Sequence, residues 1–131
     1  MYESQSDRDA EESIIQYACT KWKSHYHKLP ISYNLDYAII QDGQIKAYIE
    51  TKRRHNNHDK YPTIFVSMHK VMTARQLLLP SYFLVGWNDR IGYVSLTDKP
   101  DIQTIGGRTD RNDSADIEPM AHFNINRIKL I

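Results

Sequence analysis

Asp36 and the tripeptide Glu50-Thr51-Lys52 are the residues of this 131-residue chain whose types and spacing could do chemistry. Two carboxylates held side by side repel each other unless a cation sits between them, and an all-oxygen pair suits a hard divalent ion. Magnesium is the natural choice, with manganese as its substitute. A lysine beside such a pair would aim at a phosphate or orient an attacking water. Phosphodiester hydrolysis needs neutralised phosphate charge, an activated water and a stabilised leaving oxygen, and a metal ion supplies much of all three.

For that chemistry the acids must share one side of a sheet. Ile31 to Ile40 is rich in Tyr, Leu and Ile, Asp42-Gly43 is a turn dipeptide, and Gln44 to Arg53 returns as a second strand, so these residues lie on a β-hairpin. Side chains alternate along a strand, which makes the outcome depend on the turn. A two-residue turn at Asp42-Gly43 would set Asp36 across from Ile49, on the far side of the sheet from Glu50. The three-residue loop Gln41-Asp42-Gly43, closed by a left-handed glycine in a G1 bulge, sets Asp36 across from Tyr48. Glu50 is then diagonal to Asp36, and Lys52 follows on the same face. This second register is the one expected. The flanking Ala38, Ile40, Ala47 and Ile49 predict a sheet covered on both sides, where a charged cluster marks a site rather than a solvated ion pair.

The other elements frame the hairpin. From about Ser6 to His25 the pattern predicts a helix, capped by Ser6 or Asp7, with Ile14, Ile15, Ala18, Cys19 and Trp22 as its apolar stripe. After the polar stretch Arg54 to Tyr61, Pro62 suits the first turn of a helix running to about Leu78. Its buried face would be Ile64, Phe65, Met68, Val71, Met72 and Leu79, and Pro80 ends it. Tyr82 to Trp87 and Ile91 to Leu96 read as strands joined at Asn88-Asp89. The polar stretch Thr97 to Pro119, with Gly106-Gly107, reads as a long loop, and His122 to Ile131 as an edge strand or short helix. The order αββαββ predicts an α/β (α+β) fold, a central mixed β-sheet flanked by helices. With no internal repeat or linker, residues 1–131 are expected to form a single domain.

An acid at the start of one strand, then an acid, any residue and a lysine on the next, resembles the PD-(D/E)xK nuclease superfamily. That superfamily includes many restriction enzymes, phage and archaeal Holliday-junction resolvases, and repair nucleases. By element order the resemblance spans roughly residues 8 to 80. It implies a restriction-endonuclease-like core in which Asp36 and Glu50 bind the metal with the Thr51 backbone carbonyl, while Lys52 assists catalysis. It further implies a metal-binding and catalytic glutamate on the preceding helix, Glu12, with Glu11 as the alternative. The proline that precedes the aspartate in the motif is replaced here by Leu35, a position with no part in the chemistry. Related nucleases often place a lysine or glutamine on the following helix near the metal. Lys70 and Gln76 lie there, although an exposed helical face accounts for them as well. The implied function is Mg-dependent hydrolysis of DNA by an endonuclease too small for an extended sequence-reading domain. Structure-selective cleavage by a homodimer, as in a junction resolvase, fits that size.

Charge and composition bound the alternatives. The net charge is +1, but residues 3 to 12 hold five acids against one Arg, whereas Lys52, Arg53, Arg54 and Lys60 form a basic tract with His55 and His58 interleaved. Arg53, Arg54, Lys60 and Lys70 are therefore the candidate contacts to a nucleic-acid backbone. Tyr61, Trp87 and Tyr93 could stack on bases or fill core. His25-x-His27 and His55-x-x-His58, with the single Cys19, make no zinc signature, and Cys19 reads as a small core side chain. No apolar run approaches the roughly 20 residues needed to cross a bilayer, and the polar, acidic start is the reverse of a signal peptide. No membrane and a cytoplasmic location are expected. The absence of a phosphate-cradling glycine loop argues against a small-molecule-binding α/β domain. The alternative function on the same fold is a non-catalytic nucleic-acid-binding or interaction protein.

Overall fold

A computed structural model describes residues 5–107 and 117–131. The chain opens with helix α1 (Gln5–Trp22), whose Ile14, Ile15, Ala18 and Cys19 recur at helical spacing and are buried. The helix closes where Lys23 adopts a left-handed φ of 53° and Ser24 N–H reaches back to the Cys19 carbonyl at 3.0 Å. Strand β1 (His25–Lys28) and a 3-10 turn (Ile31–Tyr33) lead into β2 (Tyr37–Gln41) and β3 (Gln44–Arg53). Then come β4 (Thr63–Ser67), helix α2 (Met68–Gln76), β5 (Ser81–Gly86) and β6 (Ile91–Ser95). The chain ends with β7 (Ile102–Gly107), β8 (Ile117–Asn124), a 3-10 turn (Ile125–Arg127) and β9 (Lys129–Leu130).

Six strands form a mixed sheet in the order β1-β2-β3-β5-β6-β9, with β3 and β5 parallel and the other pairs antiparallel. A smaller antiparallel sheet runs β4-β8-β7. Alternation along the central strands feeds two cores. Tyr37, Ile39, Ala47, Ile49 and Leu84 pack under α1. On the opposite face Phe83, Val85, Val94 and Leu96 pack against Val71 and Ala74 of α2 and against Ile64, Val66, Ala121 and Phe123 of the small sheet. The central sheet is thus covered on both sides, and α1, β2, β3, α2, β5, β6 keep the expected αββαββ order. Gly86 lets α1 settle on the sheet, since an added Cβ would stand 2.5 Å from Ile14 Cδ1. Among the described residues no helix is long and apolar enough to cross a membrane.

The structure corrects the expected hairpin loop. Asp42 and Gly43 both have positive φ, 54° and 74°, and Gln41 pairs with Gln44, so the turn is the two-residue kind. The bulge lies further in. Ile40 pairs with Ile45 but Ile39 with Ala47, which leaves Lys46 as the surplus residue. That one-residue shift reverses the parity a two-residue turn imposes, so Tyr37 pairs with Ile49. A polar residue inside a strand carries no sequence mark of a bulge.

Three further expectations are corrected. Residues 63–67 are strand rather than the start of a helix at Pro62, because the Thr-Ile-Phe-Val run suits a pleated surface and pairs with β8. The helix begins only at Met68, where Ser67 caps it by accepting from His69 N–H at 3.2 Å. Of its expected buried face, Ile64 and Val71 are buried while Phe65 and Met72 are exposed. The expected loop 97–119 contains β7 and the start of β8, exposed strands whose polar sequences hide them; positions 108–116 of that stretch lie outside the described residues. His25 belongs to β1, an exposed edge strand, rather than to the end of α1.

Candidate active site

Asp36 stands immediately before β2, so no ladder fixes its side chain. It is held instead by its own hydrogen bonds. Its N–H donates to the Ile49 carbonyl at 2.9 Å, and its carbonyl accepts from Leu29 N–H at 2.8 Å. Its Oδ2 accepts from Thr51 N–H at 2.8 Å. The Thr51 N–H holds the Asp36 carboxylate beside the residue that follows Glu50, close enough for its charge to act on the Glu50 carboxyl. The two acids are therefore neighbours as expected, though a side-chain hydrogen bond rather than a ladder register brings them together.

The backbone of β3 splits its duties. Tyr48 N–H donates to the Pro80 carbonyl at 2.9 Å, so Tyr48, Glu50 and Lys52 turn their peptide groups toward β5. Ile49 and Thr51 turn theirs toward β2. The Thr51 carbonyl thus faces the side where Asp36 sits and where β2 has yet to begin. The Thr51 side chain is buried.

Glu50 emerges on the face covered by α2, with its side chain only 14% exposed. Its Oε1 is buried without a hydrogen-bond donor, and Lys70 Nζ lies 3.4 Å away, an ion-pair contact outside hydrogen-bonding geometry. Burial, with the Asp36 charge adding to it, pushes the Glu50 carboxyl up to about 8, and Lys70 only partly opposes that rise. Lys70 also donates to the Asn34 carbonyl at 2.5 Å. Lys28 Nζ lies 3.6 Å from Asp36 Oδ1. Lys52 follows Glu50 on the same face and is exposed.

The helix acids divide. Glu12 is exposed and its Oε1 accepts from the Tyr26 hydroxyl at 2.9 Å. Glu11 is half-buried, and its charge contributes to the rise at Glu50. Both acids lie near enough to the hairpin for their charges to act on Tyr37, and Glu11 acts on Glu50 as well.

The basic tract also divides. Arg53 is tied to the Gly86 carbonyl at 3.0 Å and to Asn88 Oδ1 at 2.8 Å. Arg54 donates to the Phe65 carbonyl at 3.0 Å, and Lys60 is exposed above the Tyr61 ring. Tyr93 packs edge-on against Trp22 and Tyr82 and so serves the core.

Lys28 and Asn34 escaped sequence reasoning. Lys28 lies on an edge strand without alternation, and Asn34 contributes only its backbone. Among the described residues His58, Asp59 and Asp89 also cluster closely enough to share an ion. There His58 Nδ1 and Asp89 Oδ2 already satisfy each other at 2.7 Å.

Asp36 and Glu50 fit a hard divalent ion. They supply two carboxylates at adjacent positions, one ending in a buried oxygen without a donor, with a backbone carbonyl turned to the same place. A buried carboxylate that Lys70 only partly offsets is costly, and a cation there would reduce that cost.

A family model described as "Phage putative PDDEXK endonuclease" matches residues 1–131. No curated protein and no solved structure matches the chain.

Proposed function

The chain belongs to this phage PDDEXK endonuclease family, within the PD-(D/E)xK nuclease superfamily, and from that premise we propose that it hydrolyses DNA phosphodiester bonds at Asp36, Glu50 and Lys52 with a divalent metal ion, magnesium by preference. The observation that carries this reading is the pairing of Asp36, locked to Thr51 N–H, with a buried Glu50 oxygen that no protein donor satisfies.

Asp36, Glu50 and the Thr51 carbonyl would hold the ion, with Glu11 or Glu12 of α1 as the helix acid. Bound there, a divalent ion neutralises charge on the phosphate and makes water a nucleophile at neutral pH. Lys52, exposed and two residues beyond Glu50, would direct its ammonium to a phosphate oxygen. Lys70 balances the Glu50 charge from α2. Lys60 and Arg54 contact the nucleic acid beside the site, and Arg53 braces the strand end. Residues 1–131 act as one nuclease domain, and two copies act together on branched DNA.

Nicking of supercoiled plasmid and of branched duplexes tests the reading. Wild-type protein cleaves with Mg²⁺ and not with EDTA, and Glu50→Ala and Lys52→Ala each lower the rate by at least about 100-fold. A wild-type protein that binds DNA but never cleaves it with Mg²⁺ or Mn²⁺ would be the non-catalytic alternative.

A further inference from the structure

Beyond the carboxylates, β3 runs into a cavity of 280 Å³ that the hydrolytic machinery does not use. Its volume lies just under the roughly 300–1,000 Å³ of sites for drug-sized ligands, which suits one flat ring system. Tyr61, Phe65 and Trp87 supply aromatic walls, Ile64 an apolar floor and Arg54 a guanidinium. Tyr61 and Phe65 are 54% and 42% exposed, so ring surface stands open to solvent.

The walls are braced from behind. Arg54 lies 4.7 Å above the Phe65 ring, and Phe65 leans on His122 at 5.6 Å. His58, fixed by Asp89, meets Trp87 edge-on at 6.2 Å. Among the described residues Arg54 pairs with no carboxylate, although burial lowers its pKa. A cation stacked on the Phe65 ring and, among the described residues, without an anion suits a ligand that brings both a π face and a nearby phosphate.

The position relates the cavity to the proposed reaction. Glu50, Lys52 and Arg54 follow at two-residue steps, so Arg54 lies about 7 Å from Lys52 and about 13 Å from Glu50 at roughly 3.3 Å per residue. At about 3.4 Å per nucleotide along a stacked strand, this is a separation of two to four nucleotides. We propose that the cavity formed by Arg54, Tyr61, Phe65 and Trp87 holds one unstacked base of a single-stranded segment next to the cleavage point, making tailed or branched nucleic acid the preferred substrate. The link to cleavage rests on the nuclease reading; the base site itself does not.

Fluorescence anisotropy in EDTA, with the whole 131-residue chain, measures binding without hydrolysis. The probes are a blunt duplex, the same duplex with a short single-stranded tail, and one whose tail is abasic. The natural tail should tighten binding by about 5- to 140-fold, the range for one stacked base. The abasic tail and Tyr61→Ala should each remove that gain, Tyr61→Phe should keep it, and blunt-duplex binding should stay unchanged. Equal binding of blunt and tailed duplexes, an equal gain from the abasic tail, or a gain surviving in Tyr61→Ala would overturn the proposal. Tail-selective binding with no Mg²⁺-dependent cleavage would sink the nuclease reading alone, and cleavage without tail selectivity would sink only the base site.

Discussion

The Asp36 carboxylate takes a 2.8 Å hydrogen bond from the backbone N–H of Thr51, the middle residue of the tripeptide that carries Glu50 and Lys52. That contact ties an acid outside any strand to the central strand of the sheet. Its Oδ1 faces Lys28 at 3.6 Å.

Asp36→Asn keeps an oxygen for Thr51 N–H but carries no charge. It should lower metal affinity and cleavage by at least about 100-fold while changing stability by less than about 1 kcal/mol. Asp36→Ala also orphans the Thr51 N–H and should cost about 1–3 kcal/mol. Calorimetric Mn²⁺ titration and urea unfolding of both variants separate the two effects.

Glu50 sets the pH dependence of the metal-free fold. Its carboxyl rises from 4.5 to about 8, so between those values the native state holds a proton that the unfolded chain has released. Stability is therefore greatest below pH 4.5 for this group and falls as pH rises through about 8, by on the order of a few kcal/mol. Melting in EDTA from pH 5 to 9 should show this decline, and Glu50→Gln should flatten it. A wild-type profile that rises over that range would contradict the assignment.

On the proposed function, metal and proton compete for one carboxylate. Mn²⁺ should raise the melting temperature more at pH 8.5 than at pH 6, with close to one proton released per ion at pH 6. Calorimetry in buffers of different ionisation enthalpy counts that proton.

The two lysines nearest the proposed chemistry should separate cleanly. Lys52 is exposed, so Lys52→Ala should leave folding and Mn²⁺ affinity intact while cleavage is lost. Lys70→Met removes the cation 3.4 Å from Glu50 and should move the pH midpoint of Mn²⁺ binding upward. Equal effects of both substitutions on the midpoint would refute this division.

Gly43 has φ of 74° and open space around its Cα. Gly43→Ala should therefore act through backbone strain alone, lowering stability by about 1 kcal/mol without altering cleavage. Thermal melts beside the nicking assay check both halves.

The sequence revealed the parts of this fold where period and punctuation agree. The bounds of β3, Gln44 to Arg53, coincide with the alternating run after Asp42-Gly43, and the stripe Ile14, Ile15, Ala18, Cys19 is the buried face of α1. It misled where one signal outweighed another. Pro62 suggested a helix start, yet the β-branched residues after it pair with β8, and Ser67 is the true cap. β1 and β7 are exposed edge strands, so neither shows the alternation that burial imposes. At the candidate site, Asp36, Glu50 and Lys52 were legible because their chemistry and spacing lie within one hairpin. Lys28 and the choice between Glu11 and Glu12 depend on how separate elements pack, which local spacing does not encode.

The surplus residue at Lys46 has a practical consequence. Because the misfit between tip and base is absorbed midway along the hairpin, the tip behaves as an adjustable handle rather than as a gauge for the acids. A longer turn or a grafted reporter peptide at Asp42-Gly43 should be accommodated without moving the proposed site, which would put tolerant, evolvable chain one strand-length from the residues least open to change.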